Sequence, residues 1–94
     1  MRKIEGPDGA NLFIYHIPRE VSDKDLFTLF EPFGLIISAS VFVDKASKTS
    51  KGFGFVSYQR VEDAEQAIKS MNGFHLGTKF LKVEKKKSTS DVLG

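Results

Sequence analysis

Apolar residues recur along the 94-residue chain with two different periods. Asn11 to Ile17 (NLFIYHI), Ile36 to Val43 (IISASVFV), Lys51 to Tyr58 (KGFGFVSY) and Phe80 to Glu84 are rich in β-branched and aromatic residues and bounded by turn formers, so each reads as a strand. Between the first two, Leu26, Leu29 and Phe30 recur at helical spacing. Ser22 and Asp25 ahead of them form a near-capping box, with aspartate where glutamate is usual, and Phe33-Gly34 closes the helix. Ala64, Ala67, Ile68 and Met71 mark a second helix over 61–71, ended by Asn72-Gly73. FHLGTKF, residues 74–80, fits a small hairpin about Gly77.

The resulting order, β-α-β-β-α-β, predicts an α+β ferredoxin-like sandwich: a four-stranded antiparallel sheet with both helices on one face. Residues 1–10, with two glycines and a proline, are expected to be a flexible leader, 11–87 the folded domain and 88–94 a frayed tail. If the helices cover one face, strand parity sorts every side chain to one side or the other. Leu12, Ile14 and Ile17, then Ala39, Val41 and Val43, then Val56, and finally Leu81 and Val83 are assigned to the helix side, where Gly52 and Gly54 allow close approach. The opposite face then collects Phe13, Tyr15, Phe42, Phe53 and Phe55, bordered by Lys51 and Lys82. Five rings on one solvated sheet are too many for scattered exposed apolars and mark an interface. On this reading Phe55 lies outside the core, and its loss should leave the fold intact.

Composition narrows the partner. There is no cysteine and there are only two histidines, His16 and His75, so neither a disulfide framework nor a convincing zinc site is available, and no metal or cofactor is expected. No apolar run approaches a membrane span, and the N-terminal residues lack a signal-peptide apolar region, so an intracellular, soluble chain is expected. The net charge of +2 hides an uneven distribution. Lys79–Lys87 holds five lysines and one glutamate, and Asp44–Lys51 three lysines and one aspartate, whereas Glu20–Glu31 holds four acids and one lysine. One side is therefore built to face an anion. A partner with flat π-faces and negative charge is single-stranded nucleic acid.

Lys51-Gly52-Phe53-Gly54-Phe55-Val56-Ser57-Tyr58 resembles the octamer signature of the RNA-recognition motif at every defined position, and Leu12-Phe13-Ile14-Tyr15-His16-Ile17 resembles its partner hexamer, with His16 in place of the common asparagine. The resemblance implies that Phe13, Phe53 and Phe55 stack bases or sugars and that Lys51 meets a phosphate. A narrower likeness, carried by EGPDGANLFIYHIP, PFGLIISASVFVDK and MNGFHLGTKFLKV, is to the third, C-terminal RNA-recognition motif of the CUG-binding and ELAV-like (CELF, or Bruno-like) proteins, where a histidine at position 16 is usual. It implies preference for U- and G-rich RNA with UGU elements, and roles in alternative splicing, translation control and mRNA decay in nucleus and cytoplasm.

The expected RNA-binding residues are Phe13, Tyr15, Phe42, Lys51, Phe53, Phe55, Lys82 and Lys85, with His16, Phe80, Lys86 and Lys87 as a second tier. His75 is expected to be a loop residue without a role. No catalysis is expected. An acylphosphatase on the same fold would need a glycine-rich phosphate cradle with an arginine, and HIPRE, residues 16–20, lacks the cradle. A protein-binding variant of the motif would lack the platform rings, and single-stranded DNA binding differs only in contacts to the 2′-hydroxyl. The chain is expected to act as a monomer and as one of several RNA-binding domains in a longer protein.

Overall fold

The capping box forms as the pattern predicts. In the computed structural model, which describes residues 6–48 and 50–86, Asp25 N–H donates to Ser22 Oγ and Ser22 N–H to Asp25 Oδ2, both at 3.1 Å. These bonds satisfy two otherwise orphaned donors and start helix α1, Asp23–Phe30, which a 3-10 turn (Glu31–Phe33) containing Pro32 brings to an end. The strands β1 (Asn11–Tyr15), β2 (Ile36–Val43) and β3 (Ser50–Tyr58), the helix α2 (Val61–Met71), a short hairpin β4 (His75–Leu76) and β5 (Lys79–Phe80), and β6 (Lys82–Lys85) complete the order. The four long strands make one antiparallel sheet in the order β2-β3-β1-β6. Both helices lie on one face of it, so the ferredoxin-like architecture expected from the pattern is the one observed.

Register decides which side chains the helices cover. Leu12 pairs with Val56, Ile14 with Gly54 on one side and Val83 on the other, and Val41 with Gly54. All of these point to the helix side and form a core with Ile17, Leu26, Phe30, Ala64, Ala67, Met71 and Leu81. Tyr58 joins it. Burial, with the nearby Asp63 carboxylate adding to it, raises its phenol well above the usual range, and its hydroxyl donates to the Phe30 carbonyl. A Cβ on Gly54 would come within 2.7 Å of the Ser40 carbonyl oxygen and about 3.1–3.2 Å of Ile17 and Leu26, so helix α1 can rest here only on a glycine.

Three expectations are corrected at this level. Gly52 does not admit a helix; it adopts φ +84, where glycine is at ease, and lies opposite a register shift between Val41 and Val43. That bulge turns Val43, expected inside, out to 52% exposure. Strand β1 stops at Tyr15, because His16 takes a left-handed φ of +66, and β6 begins at Lys82, because Phe80 belongs to the hairpin.

Residues 6–10, expected within the flexible leader, are instead bound to the sheet. Gly6 N–H lies 2.7 Å from Ser57 Oγ and 2.9 Å from Asn11 Oδ1. Asn11 Nδ2 donates back to the carbonyls of Gly6 and Pro7, and Tyr58 N–H to that of Ala10. Asn11 and Ser57, both buried, also bond each other at 2.6 Å, so one end of the sheet carries a closed polar network. Removing the amide in Asn11→Ala leaves its buried partners short of bonds, which should lower unfolding free energy by about 1–3 kcal/mol, read as a lower urea midpoint at unchanged slope.

Candidate nucleic-acid interface

The face turned away from the helices is a row of rings. Because β1 and β3 are adjacent and antiparallel, Phe13 sits opposite Phe55 and Tyr15 opposite Phe53. Ring centroids run from Phe55 to Phe13 at 5.8 Å, Phe13 to Tyr15 at 6.4 Å, Tyr15 to Phe53 at 6.4 Å and Phe53 to Phe42 at 4.9 Å. Four of the five, Phe13, Tyr15, Phe42 and Phe53, are part-exposed and offer surface to a ligand. The platform predicted from parity is therefore present, with one member missing from its surface.

That member is Phe55. Its backbone parity is as expected, yet its side chain is only 1% exposed. Phe13 packs against it in a T-shaped pair, and the Lys86 ammonium lies 5.7 Å from its ring centroid. Lys86 is held there because its N–H continues the ladder past β6, donating to the Asn11 carbonyl at 2.8 Å. Phe55 is the covered floor of the platform, and the expectation that it is an exposed stacking ring is corrected.

Strand β6 supplies the polar part. Lys82 lies opposite Tyr15 and Glu84 opposite Phe13, so both face the rings. Lys82 Nζ is 5.8 Å from the Tyr15 ring centroid and 3.8 Å from the Glu84 carboxylate. Burial, then the Glu84 charge and its hydrogen bond, raise the Tyr15 phenol above the usual range, so it remains a protonated donor at neutral pH. The alternation that brings Lys82, Glu84 and Lys86 forward sends Lys85 back. It pairs with Leu12 and binds Glu65 of α2 at 3.0 Å, on the helix side, and is removed from the expected contacts. Parity carried one residue further would have found this; the run of lysines drew attention to charge instead. The Lys51 side chain and the whole of Lys87 lie outside the described residues.

Two second-tier residues are brought together with His75, which was expected in a loop and lies instead in β4, paired with Phe80. His16 Nδ1 lies 3.3 Å from the Phe80 carbonyl oxygen, and the Phe80 ring stacks on His75 at 4.6 Å with an interplanar angle of 19°. Glu84 was also missed as a site residue, although its place two positions after Lys82 puts it on the same face. Among the described residues no cluster of His, Asp and Glu could hold a metal ion, and no helix is long and apolar enough to cross a membrane.

Comparison with known proteins agrees with this arrangement. The family model for the RNA recognition motif matches residues 12–82, most of the chain. The chain belongs to the RNA recognition motif family. Its fold is similar to that of a Sxl-lethal protein/RNA complex, with TM-score 0.80 and 30% identity over 84% of this chain and 47% of that one. It is also similar to the Sex-lethal RNA recognition domains 1 and 2 from Drosophila melanogaster, with TM-score 0.80 and 31% identity over 86% of this chain and 52% of that one. A third likeness is to the second such domain of the yeast poly(U)-binding protein, with TM-score 0.76 and 32% identity over 83% and 94%. The chain thus spans about half the length of the Sex-lethal chains it matches. The RNA recognition motif is an RNA-binding module, and the ring row of this one occupies its open sheet face.

Proposed function

We propose that this RNA recognition motif binds single-stranded RNA across the open sheet face, prefers U- and G-rich elements containing UGU, and acts on pre-mRNA and mRNA in nucleus and cytoplasm. The single observation that carries the reading is the unbroken row Phe13–Tyr15–Phe53–Phe42 with Lys82 at its margin. Rings at this spacing stack splayed bases, and lysines beside them meet the phosphates between. Guanine fits the Glu84 side of the row: a carboxylate is an acceptor only, and the guanine Watson–Crick edge offers two adjacent donors. Uracil is supported by one similar protein, which is named for binding poly(U). The CELF-like motifs at 5–18, 32–45 and 71–83 support the UGU preference and the roles in splicing, translation and decay, as a monomeric domain of a longer chain.

The competing surface lies behind the sheet. A shallow groove lined by Val21, Leu29 and Leu76 is rimmed by Glu20, Asp25 and Lys24, an acidic margin unsuited to phosphate. Titrating the 15N-labelled domain with a UGU-containing hexamer and with oligoadenylate should move amides of β1, β3 and β6 first, with the UGU strand saturating at lower concentration. Since few phosphates are met, the affinity should fall with a shallow salt slope of only a few units on logarithmic axes. Shifts confined to α1 and its groove would replace this reading with a protein-binding one.

A further inference from the structure

The hairpin between α2 and β6 carries a second aromatic surface, outside the row described above. Gly77, with φ +63, and Thr78 form a two-residue turn, which sets Leu76 opposite Lys79 and His75 opposite Phe80. Leu76 and Leu81 turn toward the core, so alternation sends His75 and Phe80 the other way. Their rings stack at 4.6 Å. One face of Phe80 is thereby backed, yet its side chain remains 59% exposed, among the most open of the large apolar residues.

Three connections fix this surface to the RNA platform. His16, which follows Tyr15 at the end of β1, meets the Phe80 carbonyl oxygen at 3.3 Å. Leu81 N–H donates to the Phe74 carbonyl at 2.9 Å and Gly73 N–H to that of Leu81 at 2.7 Å, so the hairpin is clamped where it joins β6. Lys82, two residues beyond Phe80 and so at most about 7 Å from it along the chain, stands over the Tyr15 ring. Along the chain, a cation therefore falls between the Phe80 ring and the ring row. That is the arrangement required by two successive bases and the phosphate that joins them.

We infer that the Phe80–His75 stack is an additional nucleotide subsite, taking one base of the same single strand beyond those on the sheet, with Lys82 at the connecting phosphate. The subsite rests on the sheet-face reading of the function. Phe80 supplies the stacking face, His75 stiffens it from behind, and His16 holds the hairpin in line with β1.

The test is a length ladder. Fluorescence anisotropy would measure the affinity of the whole domain for UGU and for UGU extended by one and two uridines at either end. For the unaltered domain, one extension should tighten binding by about 5- to 100-fold, and an abasic residue at that position should abolish the gain. Phe80→Ala should remove the gain while leaving UGU itself within about twofold, and His75→Ala should remove part of it. Since Phe80 is exposed, thermal melts should be little changed. A gain that survives in Phe80→Ala, equal weakening of short and long strands, or no gain with length in the unaltered domain overturns the subsite and leaves the sheet reading standing. Failure of the unaltered domain to bind any strand overturns both.

Discussion

Replacing Phe55 with alanine should destabilise the domain by about 3 kcal/mol, measured as a fall in urea midpoint with unchanged slope. The residue carries an RNA-motif signature position and faces the RNA side of the sheet, so a loss of affinity alone would be the simple expectation. Its 1% exposure reverses that. The ring is packed against Phe13 and roofed by Lys86, and truncating it removes a buried phenyl group from a small domain. The figure is set at the low end of the usual range for Phe→Ala because the Lys86 chain and the Phe13 ring can settle into part of the space. With a total stability of about 5–15 kcal/mol to draw on, the variant remains folded in the cold and melts early. Full stability combined with a large loss of RNA affinity would return Phe55 to the exposed surface.

How much of this was legible beforehand follows from how local each feature is. The capping box at Ser22, the helical spacing of Ala64, Ala67 and Met71, and the period-2 alternation of β1 and β3 are properties of neighbouring residues. They sufficed for the element order and for the ring row. Lys85 was legible too, since strand parity sends it toward α2, but a lysine-rich run invites reading by charge. The covering of Phe55 was not legible: it depends on Lys86, more than thirty residues away, continuing the ladder against Asn11. Gly52 and Gly54 look alike in sequence, and only the bulge opposite Val41 and Val43 separates a conformational glycine from a packing one. The binding of residues 6–10 has the same origin, in a buried Asn11–Ser57 pair that closes only when β1 and β3 are side by side.

Phe53→Ala should be the substitution that separates recognition from stability. The ring is part-exposed and its ring contacts among the described residues are with the platform neighbours Phe42, at 4.9 Å, and Tyr15, at 6.4 Å, so the fold should lose less than about 1 kcal/mol. RNA affinity should fall by about 1–3 kcal/mol, the value of one base stacked on an aromatic. Salt dependence supplies the internal control. A stacking ring neutralises no phosphate, so the plot of log affinity against log salt should drop without changing slope. Lys82→Gln, by contrast, should flatten that slope by about one unit. Phe13 cannot give so clean an answer, because it also packs against the buried Phe55 and its loss would mix binding with packing. If Phe53→Ala flattens the salt slope, or leaves affinity untouched, the bases do not lie on this part of the sheet.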